Sequence, residues 1–190
     1  SSGSDSNTLM VKDIWPGSDS GIYFGRYGLQ NAALLSDGRL VFSADDGVHG
    51  REPWVSNGTE AGTFMLADLN ANPGSGSSPS QLTTFDNMVV FTATVRVEMS
   101  YEWGDSYNYS GVELIFTDGT SEGTYFFDIY PDSASSNPNI LGQAGELLYF
   151  TATDADGLGI FSTDGTDFTK LAAINSDAQL LTWNESTAYF

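Results

Sequence analysis

The stretch GVELIFTDGTSEGTYFFDI, residues 111–129, indicates a repetitive fold, because recognisable versions of it occur both before and after it in the chain. Its centre is Asp118-Gly119-Thr120, and the same place is taken by Asn57-Gly58-Thr59 and by Asp164-Gly165-Thr166. From position 57 to 118 the separation is 61 residues, and from 118 to 164 it is 46. The longer separation contains an insertion at 95–110, so the underlying repeat is close to 46 residues long.

The sequence around each anchor predicts β-strands. A strand-like phrase precedes the anchor, and an apolar run that closes on Asp-Ile or Asp-Leu follows the first two anchors. Next comes a loop rich in Pro, Gly, Ser and Asn, as at 72–80 and 131–139, and then a new apolar phrase of the type Val-Phe-Thr-Ala. Val, Ile, Thr, Phe and Tyr favour strands, whereas Gly, Pro, Asn and Asp favour turns. We therefore predict an all-β fold with about four antiparallel strands per unit.

A repeat in the mid-forties with four short strands is typical of a β-propeller blade. One such sheet cannot bury both of its faces alone, whereas blades around an axis bury them against each other. We expect a disordered segment at 1–7 and a single repeat domain at 8–190, with about four blades or a fragment of a larger propeller. The run at 9–15 resembles the end of a unit, and the last unit lacks a Glu-Leu-Ile-Phe strand. A closed ring and self-association through this incomplete repeat, in which another copy supplies the strand, both remain open.

Two of the repeats resemble a known family. Residues 52–63, EPWVSNGTEAGT, and 113–124, ELIFTDGTSEGT, are similar to the ELWxxDGTxxGT repeat of large exported bacterial proteins. The third copy, GIFSTDGTDFTK at 159–170, lacks the glutamate and the second Gly-Thr pair. The resemblance implies an extracellular or cell-surface location and a propeller-like or otherwise repetitive β architecture. It brings no established catalytic residues.

The composition limits the partners that the protein can have. There are 25 Asp and Glu residues against 6 Lys and Arg, which gives a formal net charge of -19. Binding to nucleic acid or to an anionic membrane surface requires clustered cations, and these six lie singly along the chain. No apolar run is long enough to insert into a membrane as a spanning helix. The absence of cysteine excludes disulfides and thiolate metal sites.

Two acidic loops occupy equivalent places after their Phe-x-Ala strands. Asp45 and Asp46 precede Glu52 in the first, and Asp154 and Asp156 lie in the second. Carboxylate oxygens are the ligands that calcium prefers, and calcium would relieve the self-repulsion of an acidic chain. The spacing differs from that of a helix-flanked calcium loop, and hairpin turns with solvated aspartates also explain both loops. Calcium binding at these five carboxylates is therefore a hypothesis.

The Asp-Gly-Thr anchors have two interpretations. Asp118 and Asp164 are candidate metal ligands, but Asn57 stands in the same place in the first copy. In the alternative, Asp or Asn accepts a bond from the amide two residues on, and glycine adopts a positive φ. We favour the turn.

The insertion concentrates four aromatic residues, Tyr101, Trp103, Tyr107 and Tyr109. Loops that depart from a repeat template usually lie on the surface, where aromatic rings stack on sugars or bury in a partner. These residues are therefore candidates for contact with a surface glycan or a protein. In the alternative interpretation, the hairpin covers its own blade.

Few residues of the sequence are candidates for catalysis. His49 is the only histidine, and no G-x-S-x-G nucleophile elbow is present. Glu98 with Glu102, or Glu52 with Glu113, would be the carboxylate pairs of a glycosidase. The last two recur with the repeat, which indicates hydrogen bonds to backbone instead. We expect a non-enzymatic extracellular protein with a structural, adhesive or self-assembling role; the alternative is a glycan-binding or glycan-cleaving propeller.

Overall fold

The computed structural model describes residues 9–17, 19–22, 31–72, 74–100, 106–131, 135–174, 182–184 and 187–189. Of residues 97–100, 106–110, 182–184 and 187–189 it describes the backbone alone. Every regular element in these ranges is a β-strand, which confirms the all-β prediction. Within the same ranges, no helix has the length and apolar character needed to cross a membrane. The segment 1–7, predicted to be disordered, lies outside the described residues.

The strands form three four-stranded antiparallel sheets and one hairpin. Sheet 1 contains β1 (Ala32–Leu34), β2 (Leu40–Asp45), β3 (Arg51–Ser56) and β4 (Thr63–Met65). Sheet 2 contains β5 (Ser80–Phe85), β6 (Met88–Ser100), β7 (Ser106–Thr117) and β8 (Thr124–Phe127). Sheet 3 contains β9 (Asn139–Ala144), β10 (Leu147–Asp154), β11 (Gly157–Thr163) and β12 (Phe168–Ala173). The hairpin pairs β13 (Thr182–Asn184) with β14 (Thr187–Tyr189).

Within each four-stranded sheet the strands lie side by side in chain order, so each sheet is one repeat of the sequence. The three anchors lie between the third and fourth strands of sheets 1, 2 and 3. Connections between neighbouring strands are short, as an up-and-down antiparallel arrangement allows. The repeat found in the sequence is therefore a repeat of the structure.

Sheet 2 buries both of its faces. Phe91 and Ile115 belong to a core shared with sheet 1, whereas Val90 and Phe116 belong to a core shared with sheet 3. Successive residues of a strand point to opposite faces, so consecutive apolar residues bury both. We call the face toward the earlier sheet the preceding face, and the face toward the later sheet the following face.

Equivalent positions face the same way in all three sheets. Phe42, Phe91 and Phe150 occupy the same place in the second strand of sheets 1, 2 and 3. Phe91 packs in the core with sheet 1, and Phe150 packs in the core with sheet 2. Phe42 packs against Ile14 and Ile22 instead. The segment around these two isoleucines thus lies where an earlier sheet would lie.

The entry into each sheet is held by the same backbone hydrogen bond. In each sheet, the residue directly after the Phe-x-Ala sequence of the second strand donates its amide to a carbonyl oxygen in the segment that leads into that sheet. The bonds run from Asp45 N to Gly21 O at 2.8 Å, from Thr94 N to Ser77 O at 2.8 Å, and from Thr153 N to Ser136 O at 2.7 Å.

Candidate functional site

The Asp-Gly-Thr anchor of sheet 2 is a hydrogen-bonded turn. Asp118 Oδ1 accepts bonds from the Thr120 amide at 2.8 Å and from its hydroxyl at 2.7 Å. The Thr120 hydroxyl oxygen accepts the Gly123 amide at 3.0 Å, and Gly119 has φ of 81°. These contacts confirm the predicted turn, in which aspartate caps the amide two residues on and glycine supplies the positive φ.

The other two anchors repeat this geometry. Asn57 Oδ1 accepts the amide and hydroxyl of Thr59 at 3.0 and 2.7 Å. Asp164 Oδ1 accepts those of Thr166 at 2.8 and 2.7 Å, and these bonds hold the pKa of Asp164 below its ordinary value. An uncharged asparagine makes the same bonds as aspartate, so the turn does not depend on the carboxylate charge.

The first acidic loop is a local hydrogen-bonded turn with a histidine attached. Asp45 Oδ1 accepts the Gly47 amide at 2.8 Å, and Asp46 Oδ1 accepts the amides of Val48 and His49. Asp46 Oδ2 lies 2.7 Å from His49 Nδ1. Burial raises the pKa of Asp46, but the hydrogen bonds that it accepts from His49 lower it by more, so the pKa lies below its ordinary value. The same side-chain bond raises the pKa of His49, although burial opposes this.

The second acidic loop is paired with a cation that the sequence analysis did not assign to it. Lys170 Nζ lies 2.6 and 2.8 Å from the two carboxylate oxygens of Asp154, and this hydrogen bond lowers the pKa of Asp154. The Asp156 amide donates to Asp154 Oδ1 at 2.9 Å, while Asp156 itself is exposed. Lys170 comes from β12, 16 residues further along the chain.

Glu52 turns away from the acidic loop into the interior. It is fully buried, and its carboxylate accepts the Ser77 amide at 2.8 Å, the Ser77 hydroxyl at 2.6 Å and the Leu69 amide at 3.1 Å. Burial raises the pKa of Glu52, and these hydrogen bonds offset part of the rise.

Of the five carboxylates predicted to bind calcium, those of Asp45 and Asp46 accept bonds within the first loop, that of Glu52 accepts bonds from the loop after sheet 1, and that of Asp154 pairs with Lys170, while Asp156 is exposed. In the part of the chain that the structure describes, no group of three or more His, Asp or Glu side chains is arranged to hold a metal ion. The calcium hypothesis remains a prediction.

Glu113 repeats the arrangement of Glu52 one sheet later. It is fully buried, its carboxylate accepts the Ser136 amide at 3.2 Å, and its other oxygen accepts the Ser136 hydroxyl. We call the pairs Glu52 with Ser77 and Glu113 with Ser136 the glutamate–serine latches. Each latch ties the third strand of one sheet to the loop that leads into the next. The prediction that the repeat glutamates bond to backbone is therefore confirmed, and each of the two has its own serine, in a different loop.

Sheet 3 has glycine where the latch glutamate would stand. Gly159 pairs with Ala152 as Glu52 pairs with Ala44 and Glu113 with Ala93. A Cβ at position 159 would come within 2.6 Å of the Lys170 Cε and 3.0 Å of the Ala172 carbonyl oxygen. The side chain of Lys170, which pairs with Asp154, thus occupies the space that a side chain at position 159 would need.

The insertion at 95–110 continues two strands of sheet 2. The β6–β7 pairing runs on past the partners of β5 and β8, from Val95↔Gly111 to Ser100↔Ser106. We call this two-stranded extension, 95–100 with 106–111, the ribbon. Val97 pairs with Tyr109 and Met99 with Tyr107, so these four positions share one face.

The ribbon is amphipathic in sequence. Its opposite face carries Arg96, Glu98 and Asn108. Because Val95 is buried in the core shared with sheet 1, the apolar face continues the preceding face of sheet 2. Two of the four predicted contact residues are brought to one face, while Tyr101 and Trp103 lie outside the described residues.

A cavity of about 330 Å³ lies on the preceding face of sheet 1. Its apolar lining comes from two elements, and the residues are Met10, Val11, Ile14, Ile22, Leu40 and Phe42. Lys12 Nζ, at its edge, donates to the Thr63 carbonyl oxygen at 2.7 Å and lies 5.9 Å from the centroid of the Trp54 ring. Sequence reasoning identified the run at 9–15 as the end of a unit but missed the cavity beside it.

Comparison with models of protein families, with curated proteins and with solved structures finds no match to this chain. The repeated turns, the latches, the ribbon and the cavity are therefore the features that bear on its function.

Proposed function

We propose that this protein is a non-enzymatic, extracellular repeat protein with a structural, adhesive or self-assembling role, built as a propeller-like array that presents the ribbon as its contact surface. The observation that carries the proposal is the strand register of the ribbon, which places Val97, Met99, Tyr107 and Tyr109 on one face. The extracellular location is supported by the resemblance of 52–63 and 113–124 to an exported repeat family.

The propeller-like array is supported by the last hairpin. In sheet 3 the first two strands pair Leu147 with Ala144, Leu148 with Gln143, and Tyr149 with Gly142. The hairpin pairs Thr187 with Asn184, Ala188 with Trp183, and Tyr189 with Thr182. Each of these pairs lies 40 positions after the corresponding pair of sheet 3, so the two hairpins have the same register. Strands β13 and β14 therefore begin a fourth unit. This fits about four blades or a fragment of a larger propeller.

The adhesive role is supported by how the ribbon is mounted. A two-stranded ribbon is marginally stable by itself in water, but this one grows out of a four-stranded sheet that is buried on both faces. Tyrosine offers an apolar ring for stacking and a hydroxyl for hydrogen bonding, which suits a sugar or a half-buried protein contact. The array thus acts as a rigid mount for the ribbon.

Paired substitutions on the two faces of the ribbon test this role. Replacing Tyr107 and Tyr109 with serine should abolish binding to immobilised glycans or to cell surfaces while leaving the melting temperature almost unchanged. The control replaces Glu98 with glutamine and Asn108 with serine on the opposite face, and it should keep binding. A large loss of stability in the tyrosine variant would instead mean that the ribbon covers its own sheet.

The alternative function is glycan binding with cleavage. Release of reducing sugar from a bound glycan would establish it. Glu52 and Glu113 are bonded to their serines and lie in different sheets, so we expect no such turnover from that pair.

We also propose that calcium stabilises the array, because the net charge is -19 and both acidic loops follow the second strand of their sheets. Millimolar calcium should raise the melting temperature relative to chelator, since an ion that binds only the folded state stabilises it. Magnesium at equal ionic strength is the control. Identical melting curves in calcium and in chelator would reject this part of the proposal.

A further inference from the structure

We propose that Asn57 is a site of spontaneous deamidation, and that the folded anchor turn holds this reaction back until the turn opens. Of the asparagines in the sequence, only Asn57 is followed by glycine. The site lies in the first Asp-Gly-Thr-type anchor, away from the ribbon and from the two acidic loops. It therefore does not depend on the proposed function.

The reaction joins Asn57 to the residue that follows it. The backbone nitrogen of Gly58 attacks Cγ of the carboxamide and forms a bond to it. The bond from Cγ to Nδ2 breaks, and ammonia leaves with the proton that the Gly58 nitrogen loses. Water then opens the five-membered imide to aspartate or to isoaspartate. Glycine favours the attack because it has no Cβ to crowd the nitrogen, and both residues are exposed to water.

The turn holds both reacting groups in bonds to other partners. The Gly58 amide donates to Ser56 Oγ at 3.1 Å. Asn57 Oδ1 accepts the Thr59 amide at 3.0 Å and the Thr59 hydroxyl at 2.7 Å. A side chain at Gly62 would overlap the carboxamide, so the backbone there lies directly against it. Because the nitrogen must give up its proton and the carboxamide must turn toward it, the reaction requires this turn to open.

The hydroxyl that accepts the Gly58 proton is itself fixed as an acceptor. Thr63 Oγ1 donates to the Thr59 carbonyl oxygen at 2.7 Å, so Ser56 Oγ, 2.7 Å away, donates to Thr63 Oγ1. The Ser56 oxygen is thereby left to accept the Gly58 amide. This chain of bonds ends on a carbonyl oxygen, which does not remove a proton from the nitrogen. The arrangement thus keeps the Gly58 nitrogen protonated and unreactive.

The turn accepts aspartate in the place of Asn57. Asp118 and Asp164 make the same two bonds to the threonines that follow them. The aspartate product should therefore close the turn again, with one more negative charge. Isoaspartate would add a carbon to the main chain and so displace the backbone bond from Asn57 N to Gly62 O, which is 3.2 Å long.

Peptide mass spectrometry of the whole chain, kept folded or unfolded, tests the proposal. Samples are held in mildly alkaline buffer with and without guanidinium chloride and are then digested. The peptide that contains Asn57 is followed for replacement of its amide by a carboxylate. We expect deamidation to be at least about tenfold slower in the folded chain, because the turn is open in at most about a tenth of the molecules.

Two threonine variants separate opening of this turn from a loss of global stability. Thr59→Val removes the hydroxyl that bonds to Asn57 Oδ1 and accepts the Gly62 amide, so deamidation of the folded chain should accelerate about threefold or more. Thr120→Val removes the equivalent hydroxyl from the second anchor and is the matched control. It should leave the rate at Asn57 unchanged. Circular dichroism shows that both variants are folded.

Asp118→Asn transfers the site to the second anchor. The Gly119 amide donates to Thr117 Oγ1 at 3.0 Å, as the Gly58 amide does to Ser56. We expect the new site to deamidate slowly in the folded chain and rapidly in the unfolded chain, as Asn57 does.

Three results would overturn the proposal: equal deamidation rates at Asn57 in the folded and unfolded chains, equal effects of Thr59→Val and Thr120→Val on that rate, or an unfolded chain in which Asn57 does not deamidate. None of them bears on the proposed adhesive function, because binding through the ribbon is measured on a different part of the chain.

Discussion

At the scale of single residues, the glutamate–serine latches connect the third strand of one sheet to the loop that leads into the next. A buried carboxylate is costly unless it is fully hydrogen-bonded, and Glu52 receives three donors from two residues of the loop beyond its own sheet. The carboxylate is thus held by two backbone amides and one serine hydroxyl of the connection between sheets 1 and 2. A latch of this kind couples the stability of one sheet to the position of the next.

Removing the charge of one latch should destabilise the protein. Glu52→Gln presents an amide NH₂ to a site filled by donors, so we expect the free energy of unfolding to fall by about 1–3 kcal/mol. Glu60→Gln, at an exposed position in the nearby turn, is the control and should change it by less than about 0.5 kcal/mol. Urea denaturation followed by circular dichroism measures both. Equal effects of the two substitutions would show that the latch adds nothing.

The pair of His49 and Asp46 predicts a pH dependence. The bond to Asp46 raises the pKa of His49 above its ordinary value of 6.5. The stability from this pair is therefore fully present below pH 6.5 and is lost as the pH rises through the raised pKa. His49→Gln should remove that part of the slope of melting temperature against pH. Since the chain has one histidine, its NMR titration also reports the pKa directly, and Asp46→Asn should bring it down. A His49 pKa at or below 6.5 in the wild type would contradict the pairing.

The turns could be predicted residue by residue, whereas the latches could be predicted only in part. An Asp-Gly-Thr turn is built from bonds between residues two or three apart, so the sequence specifies donor and acceptor together. The recurrence of Glu52 and Glu113 indicated backbone bonding. Their serines lie 25 and 23 residues further along, across a sheet boundary, where no local pattern identifies them.

At the scale of elements, equivalent turns differ in what they touch. Gly58 and Gly119 have φ of 82° and 81°, but a Cβ at Gly58 would meet nothing within 4 Å. A Cβ at Gly119 would come within 2.5 Å of Leu35 Cδ1 and 2.7 Å of Arg39 Nη1. That arginine donates to the carbonyl oxygens of Gly119 and Asp118 at 2.7 and 2.8 Å. The second anchor is therefore a contact between sheets 1 and 2 as well as a turn.

Alanine substitutions separate these two roles. Gly58→Ala should cost about 1–2 kcal/mol of unfolding free energy, which is the cost of a left-handed conformation. Gly119→Ala should cost at least about 1 kcal/mol more, because it also displaces Arg39 from its two carbonyl acceptors. Chemical denaturation of the two variants under identical conditions gives the difference. Equal costs would mean that the Arg39 contact is not stabilising.

The ribbon shows why elements are harder to predict at an insertion. Comparison between repeats marks 95–110 only as a departure from the template. Apolar and polar residues alternate in Val95-Arg96-Val97-Glu98-Met99 and in Tyr107-Asn108-Tyr109. This is the period of a half-buried strand, and it is the sequence pattern from which the two strands of the ribbon could have been predicted. The pairing register of the two strands could not be predicted in this way, because it is set by the β6–β7 pairing that begins inside sheet 2.

At the scale of the whole molecule, three successive sheets repeat one arrangement of faces. Apolar pairs such as Val41-Phe42 and Val90-Phe91 indicated strands buried on both sides, and the sheets use these pairs as expected. The sequence also predicted the four-stranded unit. It did not predict the cavity on sheet 1, because its walls combine residues from the segments around Ile14 and Ile22 with residues of three strands of sheet 1, and no strand period encodes that packing.

If the latches join successive sheets into one array, amide hydrogen exchange in Glu52→Gln should reveal the loss of one junction. Ser77 donates its amide to Glu52, and Thr94 donates its amide to the Ser77 carbonyl. We predict that both amides exchange faster than in the wild type. Ser136 and Thr153, the equivalent residues at the second latch, should change only as much as global stability changes. Unchanged exchange at Ser77 and Thr94, or an equal rise at all four amides, would show that the first latch does not join sheets 1 and 2.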